Sequence, residues 1–225
     1  MTLNTPVIRL LVAKDWQLFQ KQLAFYVLAG IVALCFLGLA KPWAFYVGSL
    51  MLLIVMVSAA CFSISTSLMV ERKEQTLAFV MSLPVSPLDF TVSKLAGNAL
   101  TFAVPFVVLL GGTLAVVLFT PLPDGLFVYA LLIFAYLLFA YAVSLAVAMS
   151  VESEGWATFA MIGSMVLINP YIMALTQVPD ISERVSVDAL VWTTPAVAIL
   201  ATLVVLSLAV LGLTGWFHAR KPAFY

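Results

Sequence analysis

Charge is what this chain has least of. Only 9% of its 225 residues are Asp, Glu, Lys or Arg, whereas 64% are apolar. A soluble domain of this size carries about a quarter charged residues and could not keep so much apolar area from water. The composition therefore defines a polytopic, all-α membrane protein. The formal net charge is zero, so no basic field points to nucleic acid. Of the two cysteines, Cys35 and Cys61, each falls inside an apolar run without metal-site spacing, and no disulfide between them is expected. The lone histidine, His218, sits beside Arg220 and Lys221 and reads as an interfacial anchor. A cleavable leader is not expected. Gly38-Leu39-Ala40 has small residues at a cleavage-like spacing, but the polar stretch before its apolar run contains Asp15 and is too long for an n-region.

Catalytic groups are equally scarce. The chain has no H-E-x-x-H and no G-x-S-x-G, its expected spans have no paired acids at helical spacing, and Gly111-Gly112 lacks the surroundings of a phosphate loop. The expected spans hold no Asp, Glu, Arg or His at mid-depth. Carriers coupled to protons or sodium keep a buried carboxylate for that purpose. No G-x-x-x-x-G-K-[ST] occurs either, so the chain cannot hydrolyse ATP itself. Power for any transport must come from outside the chain, most economically from a separate ATPase pushing on cytoplasmic loops. No enzyme activity, cofactor or metal is expected.

What the sequence does have is six apolar runs long enough to cross a bilayer, over residues 23–40, 43–69, 88–119, 126–149, 156–176 and 195–216. They form one domain, 1–225. Ahead of them, residues 6–22 read as an amphipathic interfacial helix. Val7, Ile8, Leu11, Val12, Trp16, Leu18 and Phe19 share one half of the wheel, and Arg9, Lys14, Gln17, Gln20 and Lys21 the other. Asp15 breaks the apolar half and calls for a cationic partner. Arg9, Lys14, Trp16 and Lys21 are expected as interfacial anchors, together with Lys94, which lies about two turns into the third span, near enough to snorkel back to the interface.

Small residues recur at four-residue spacing as Ala59, Ser63 and Ser67, and as Ala140, Ser144 and Ala148, the pattern of close helix contact. Ser86-Pro87-Leu88-Asp89 signals a helix start. Pro105 predicts a kink, and Asn169-Pro170 a loosening of the fifth span. Residues 177–194 mix charges with Val185, Leu190 and Trp192, as a short external interfacial or re-entrant helix would. With the N-terminus inside, eight of ten cations (Arg9, Lys14, Lys21, Arg72, Lys73, Lys94, Arg220, Lys221) are cytoplasmic, and only Lys41 and Arg184 are external. The positive-inside rule thus favours both termini in the cytoplasm.

The exception to the scarcity of charge is Glu71-Arg72-Lys73-Glu74, between the second and third spans. Such a cluster must lie in water or against a partner, because burying it in hydrocarbon costs several kcal/mol per charge. Residues 70–86 therefore read as a short cytoplasmic coupling helix on which another protein can push.

Glu71, Glu74, Thr76-Leu77, Ser82-Leu83-Pro84-Val85-Ser86 and Lys94 resemble the segment shared by permease subunits of the ABC-2 type transporter family. There a Glu-Arg-x-x-Gly-Thr-Leu stretch leads into Pro-Val-Ser and a lysine that opens the next span. Gln75 stands where glycine is usual. The haem-exporter membrane subunits of cytochrome c maturation look similar in this segment. The resemblance implies a multi-pass subunit of the plasma (inner) membrane, two of which, identical or related, pair with two nucleotide-binding subunits. It further implies that residues 71–83 sit in a cleft of the ATPase, with Glu71, Arg72, Lys73, Glu74, Thr76, Leu77, Pro84 and Val85 at the contact. Residues 150–155, with Glu152 and Glu154, make a smaller one. ATP-driven closure would then rock the permease between inward- and outward-facing states. Besides the ATPase and a second permease, membrane lipid is the expected partner, and nucleic acid is not. A scaffold or assembly factor docking some other cytoplasmic partner is the alternative reading. A lipid-metabolising enzyme ranks below both, for want of a polar constellation.

Overall fold

The computed structural model describes residues 4–69, 87–151 and 153–219. All regular structure among them is helical, and six helices are long and apolar enough to cross a membrane, as in a multi-pass membrane protein. In chain order these are α1 (Thr5–Gly38), α2 (Pro42–Ile64, continued by a π-helical turn over Ser65–Met69), α3 (Pro87–Phe119), α4 (Leu126–Ser150), a broken fifth span made of α5 (Glu154–Val166) and α6 (Ile168–Thr176), the single turn α7 (Pro179–Ser182), and α8 (Thr194–Ala219).

One of the expectations needs correction. Residues 6–22 do not form a separate interfacial helix; they run without interruption into the first span as part of the 34-residue α1. At 1.5 Å per residue α1 is about 50 Å long, well over a ~30 Å hydrocarbon core. Alanine, leucine, lysine and glutamine are all good helix formers, so the polar Gln20-Lys21-Gln22 changes the surface without breaking the helix. Most of the half-wheel expected to meet headgroups instead faces protein, Leu18 being exposed. Val7, Ile8, Leu11, Val12 and Phe19 are half-buried, and Asp15 in their midst is buried. Within residues 177–193 the only helix is the four-residue α7. Its Ile181 is buried, and the Gly125 N–H donates to the Val187 carbonyl at 3.0 Å, fastening the segment to the α3–α4 turn.

The bundle is organised by an unusual pair, α1 and α3, which run parallel and in register. The Asn4 N–H donates to Asp89 Oδ1 at 2.9 Å at the start of both helices. Further along, Leu109 packs where Gly30 has no side chain, and Leu34 where Gly112 has none. This reciprocal fit of leucine on glycine brings the backbones together, as small residues do wherever lipid offers no hydrophobic drive for association. α2 returns beside α1, with Gly48 against the Ala33 carbonyl and the Leu37 amide; a Cβ there would lie 2.8 Å and 2.9 Å from them. In the other half, α4 packs against α5 and α8 and is the central post. Half of its most apolar stretch is buried, against 11% for α8, which therefore turns most of its surface to lipid. The Phe102 and Tyr141 rings stack at 3.9 Å and join α3 to α4.

Helix breaks follow local chemistry. α3 continues through Pro105 without interruption. The fifth span breaks at Leu167, three residues before Pro170, because proline has no N–H for the carbonyl four residues back, that of Val166. Tyr136 and Tyr171 brace the break. Their rings stack at 4.5 Å, Tyr136 donates to the Ser164 carbonyl at 2.7 Å, and Tyr171 donates to the Leu132 carbonyl at 3.1 Å.

Between α1 and α2, Ala40 adopts φ 50° with its N–H on the Leu37 carbonyl. This left-handed cap favours glycine, since a Cβ there costs about 1–2 kcal/mol. Ala40→Gly is accordingly expected to stabilise the protein by roughly 0.5–1 kcal/mol, part of the gain being lost to the freer unfolded chain. A denaturant titration in detergent micelles reads this as a later midpoint.

Candidate functional site

The expected coupling residues Glu71, Arg72, Lys73, Glu74, Thr76, Leu77, Pro84 and Val85, and also Glu152, lie outside the described residues. What the structure describes is the frame on either side of residues 70–86, and that frame contains a buried polar chain.

It begins with charge. Lys94 Nζ lies 3.2 Å from Asp15 Oδ2, and both side chains are buried. Lys14 approaches the other carboxylate oxygen at 3.9 Å from the surface. Lys94 also lies 5.9 Å from the centre of the Phe90 ring, within cation–π range. This corrects the expectation for Lys94, which does not snorkel to an interface but points into the α1–α3 contact. The carboxylate that called for a cation has found this one. Gly97 gives Asp15 its place, since a Cβ there would come within 3.3 Å of Oδ2. A buried ion pair holds only when both charges are present and further groups satisfy them, because each alone carries a desolvation cost of several kcal/mol.

One turn further along α3, Asn98 is fully buried. Its Nδ2 donates to the Lys94 carbonyl at 2.9 Å and to Ser67 Oγ at 3.0 Å. Its backbone carbonyl accepts from Tyr141 OH at 2.8 Å and from Thr101 Oγ1 at 2.9 Å. Ser63 Oγ and Thr101 Oγ1 are 2.6 Å apart. The stripe of small residues on α2 thus does more than permit close packing, because two of its serines bond across to α3. Ser67 lies in the π-helical turn that ends α2; such turns widen the helix and redirect its side chains. A second bridge, Ser144 to Ser164 at 2.7 Å, joins α4 to α5 in the same way.

Asn98→Ala would remove the buried side-chain donor that ties Ser67 Oγ to α3. Stability is expected to fall by about 1–3 kcal/mol, measured by unfolding in micelles, and Asn98→Asp should not rescue it because the Nδ2 donor is gone.

The other anchors lie as surface groups do. Arg9, Lys14 and Lys21 are exposed and Trp16 is half-buried, while Glu154 opens α5. Among the described residues no three His, Cys, Asp or Glu side chains gather into a group that could hold a metal ion. The arrangement is suited to transmitting force. α2 and α3 flank residues 70–86, and the first turns of α3 are tied to α1 by Asp89 and Lys94 and to α2 through Asn98. Any displacement of α3 at this end therefore carries α1 with it.

Sequence reasoning missed Asn98, although a signal existed. An amide four residues after a lysine and three before a threonine, inside an apolar span, is a polar face needing partners. No family model, curated protein or solved structure matches the chain.

Proposed function

We propose that this chain is the membrane-spanning permease subunit of an ATP-driven ABC exporter of the ABC-2 type, working by alternating access with a separate ATPase subunit and a second permease. Both termini and residues 70–86 face the cytoplasm of a plasma (inner) membrane, and the ATPase docks on that segment as on a coupling helix. The observation that carries the reading is the buried Asp15–Lys94 pair. It links α1 to the helix that follows the charged segment, so that a push on Glu71–Glu74 would move α1 and α3 as one body. The resemblance of residues 71–94 to the permease segment supports the same reading, as does the positive-inside balance of charge.

Two substitutions test it. In the complex with its ATPase, Glu71→Ala and Glu74→Lys are expected to uncouple hydrolysis from transport while leaving the chain folded in the membrane. Reconstituted complexes would show ATP hydrolysis that no longer responds to, or drives, cargo movement. Unchanged coupling in both variants would refute the docking. A chain that isolates with a stoichiometric partner lacking ATPase activity would point to a scaffold instead.

A further inference from the structure

At the end of the bundle opposite the Asp15–Lys94 pair, α2, α3 and α4 line a partly open cavity of about 140 Å³. Leu52, Met56, Val117, Ala130, Ile133 and Leu137 are among its walls. Polar groups in the lining are few, namely Ser49, Thr113 and Tyr129. Thr113 Oγ1 is already engaged, donating to the Leu109 carbonyl at 2.7 Å. Water needs two to four polar partners to settle in a cavity, and apolar cavities of about 150 Å³ stay dry and take up ligands of benzene size. Water is therefore a poor occupant here, and an apolar group a good one.

From this geometry we infer that the cavity is a binding site for the end segment of one hydrocarbon tail, that of a fatty acid or of a membrane lipid. Its position selects a tail over other apolar ligands. Phe45, near the start of α2, lines the cavity, and its neighbours Trp43 and Tyr46 are exposed on the outside of the same helix end. Exposed tryptophan and tyrosine at a span end mark the headgroup level of a bilayer. The cavity thus extends from about that level towards mid-membrane, through Ser49 and Leu52 to Met56, along the depth a lipid tail occupies. Such tails surround any multi-pass protein in its bilayer, and one can enter a partly open apolar cavity without crossing water. The site does not depend on the exporter reading; any multi-pass protein with this bundle would have it.

The test is photolabelling of the full chain in phosphatidylcholine nanodiscs with two probes bearing the same terminal diazirine tail, one a free fatty acid and the other a phosphatidylglycerol. Saturable adducts are expected on cavity residues such as Met56 and Ile133, and the probe that saturates first identifies the source of the tail. Ala130→Phe, which fills the cavity, should abolish those adducts while leaving the labelling of lipid-facing Val205 and Leu208 on α8 unchanged. If Ala130→Phe fails to fold, Ala130→Leu is the milder filler with the same expected loss. Adducts that do not saturate, or that survive filling, would overturn the proposal. So would a benzyl diazirine that labels the cavity when neither tail does, since the site would then take rings and not chains.

Discussion

Replacing Lys94 with methionine is expected to destabilise the protein by about 3–5 kcal/mol, because it takes from the buried Asp15 carboxylate the cation held at 3.2 Å, closer than the 3.9 Å approach of Lys14. Removing both charges should hurt far less. Asp15→Leu with Lys94→Met puts apolar side chains into a contact that is otherwise helix on helix, and buried pairs replaced in this way are often neutral in stability. A double-mutant cycle, read by unfolding in mixed micelles, therefore separates two accounts of Lys94. A snorkelling lysine predicts a small single-mutant effect and no coupling with position 15. The buried pair predicts a large single-mutant effect, recovered in the double. The same double mutant is informative about function. It keeps the fold but loosens the tie between α3 and α1, so under the proposed mechanism transport should fall more than stability does.

At the other end of the bundle, Gly125→Ala is expected to cost at least about 3 kcal/mol and to impair folding. A Cβ at this position would run into the Arg184 carbonyl, which is backbone and cannot rotate away. Relief would require the 184–187 stretch to lift, breaking the bond from the Gly125 N–H to the Val187 carbonyl. Proteolysis of the folded chain gives a second readout, since residues 183–190 should become cleavable in the variant. Conversely, Gly111→Ala should be nearly neutral, because nothing lies within 4 Å of a Cβ there. The contrast shows that close approach, and not glycine content as such, sets the cost.

The crossing helices were the legible part of the fold, because twenty or more apolar residues between polar turns have few other solutions. The Pro87-Leu88-Asp89 signal agrees with α3, which is helical from Pro87, the first residue described after position 69. Pairing was not legible. Lys94 finds its counter-ion 79 residues away, and a lysine two turns into a span reads the same whether it reaches back to water or across to an acid. Only Asp15, anomalous on an apolar face, hinted at the answer from the other side. The continuity of α1 was hidden for a different reason. A polar patch of good helix formers resembles a boundary in composition while leaving the backbone hydrogen bonds intact. Asn98 marks a third kind of blindness: its value lies in bonding five residues at once, three of which, Ser63, Ser67 and Tyr141, lie on other helices.

The long parallel helices α1 and α3 are clamped together by Asp15 and Lys94 next to the charged segment that joins α2 to α3, and the proposed mechanism draws its drive from a separate ATPase through that segment. The most direct measurement is a crosslink from that segment. With Cys35 and Cys61 replaced by alanine and Glu74 by cysteine, the tagged chain would be isolated from its native membranes after treatment with a short thiol-to-amine crosslinker. The account predicts one dominant adduct, to a protein that hydrolyses ATP, with labelling at position 74 available only from the cytoplasmic side. An intact chain whose residue 74 reacts from the external side, or crosslinks to no ATP-hydrolysing partner, would contradict it.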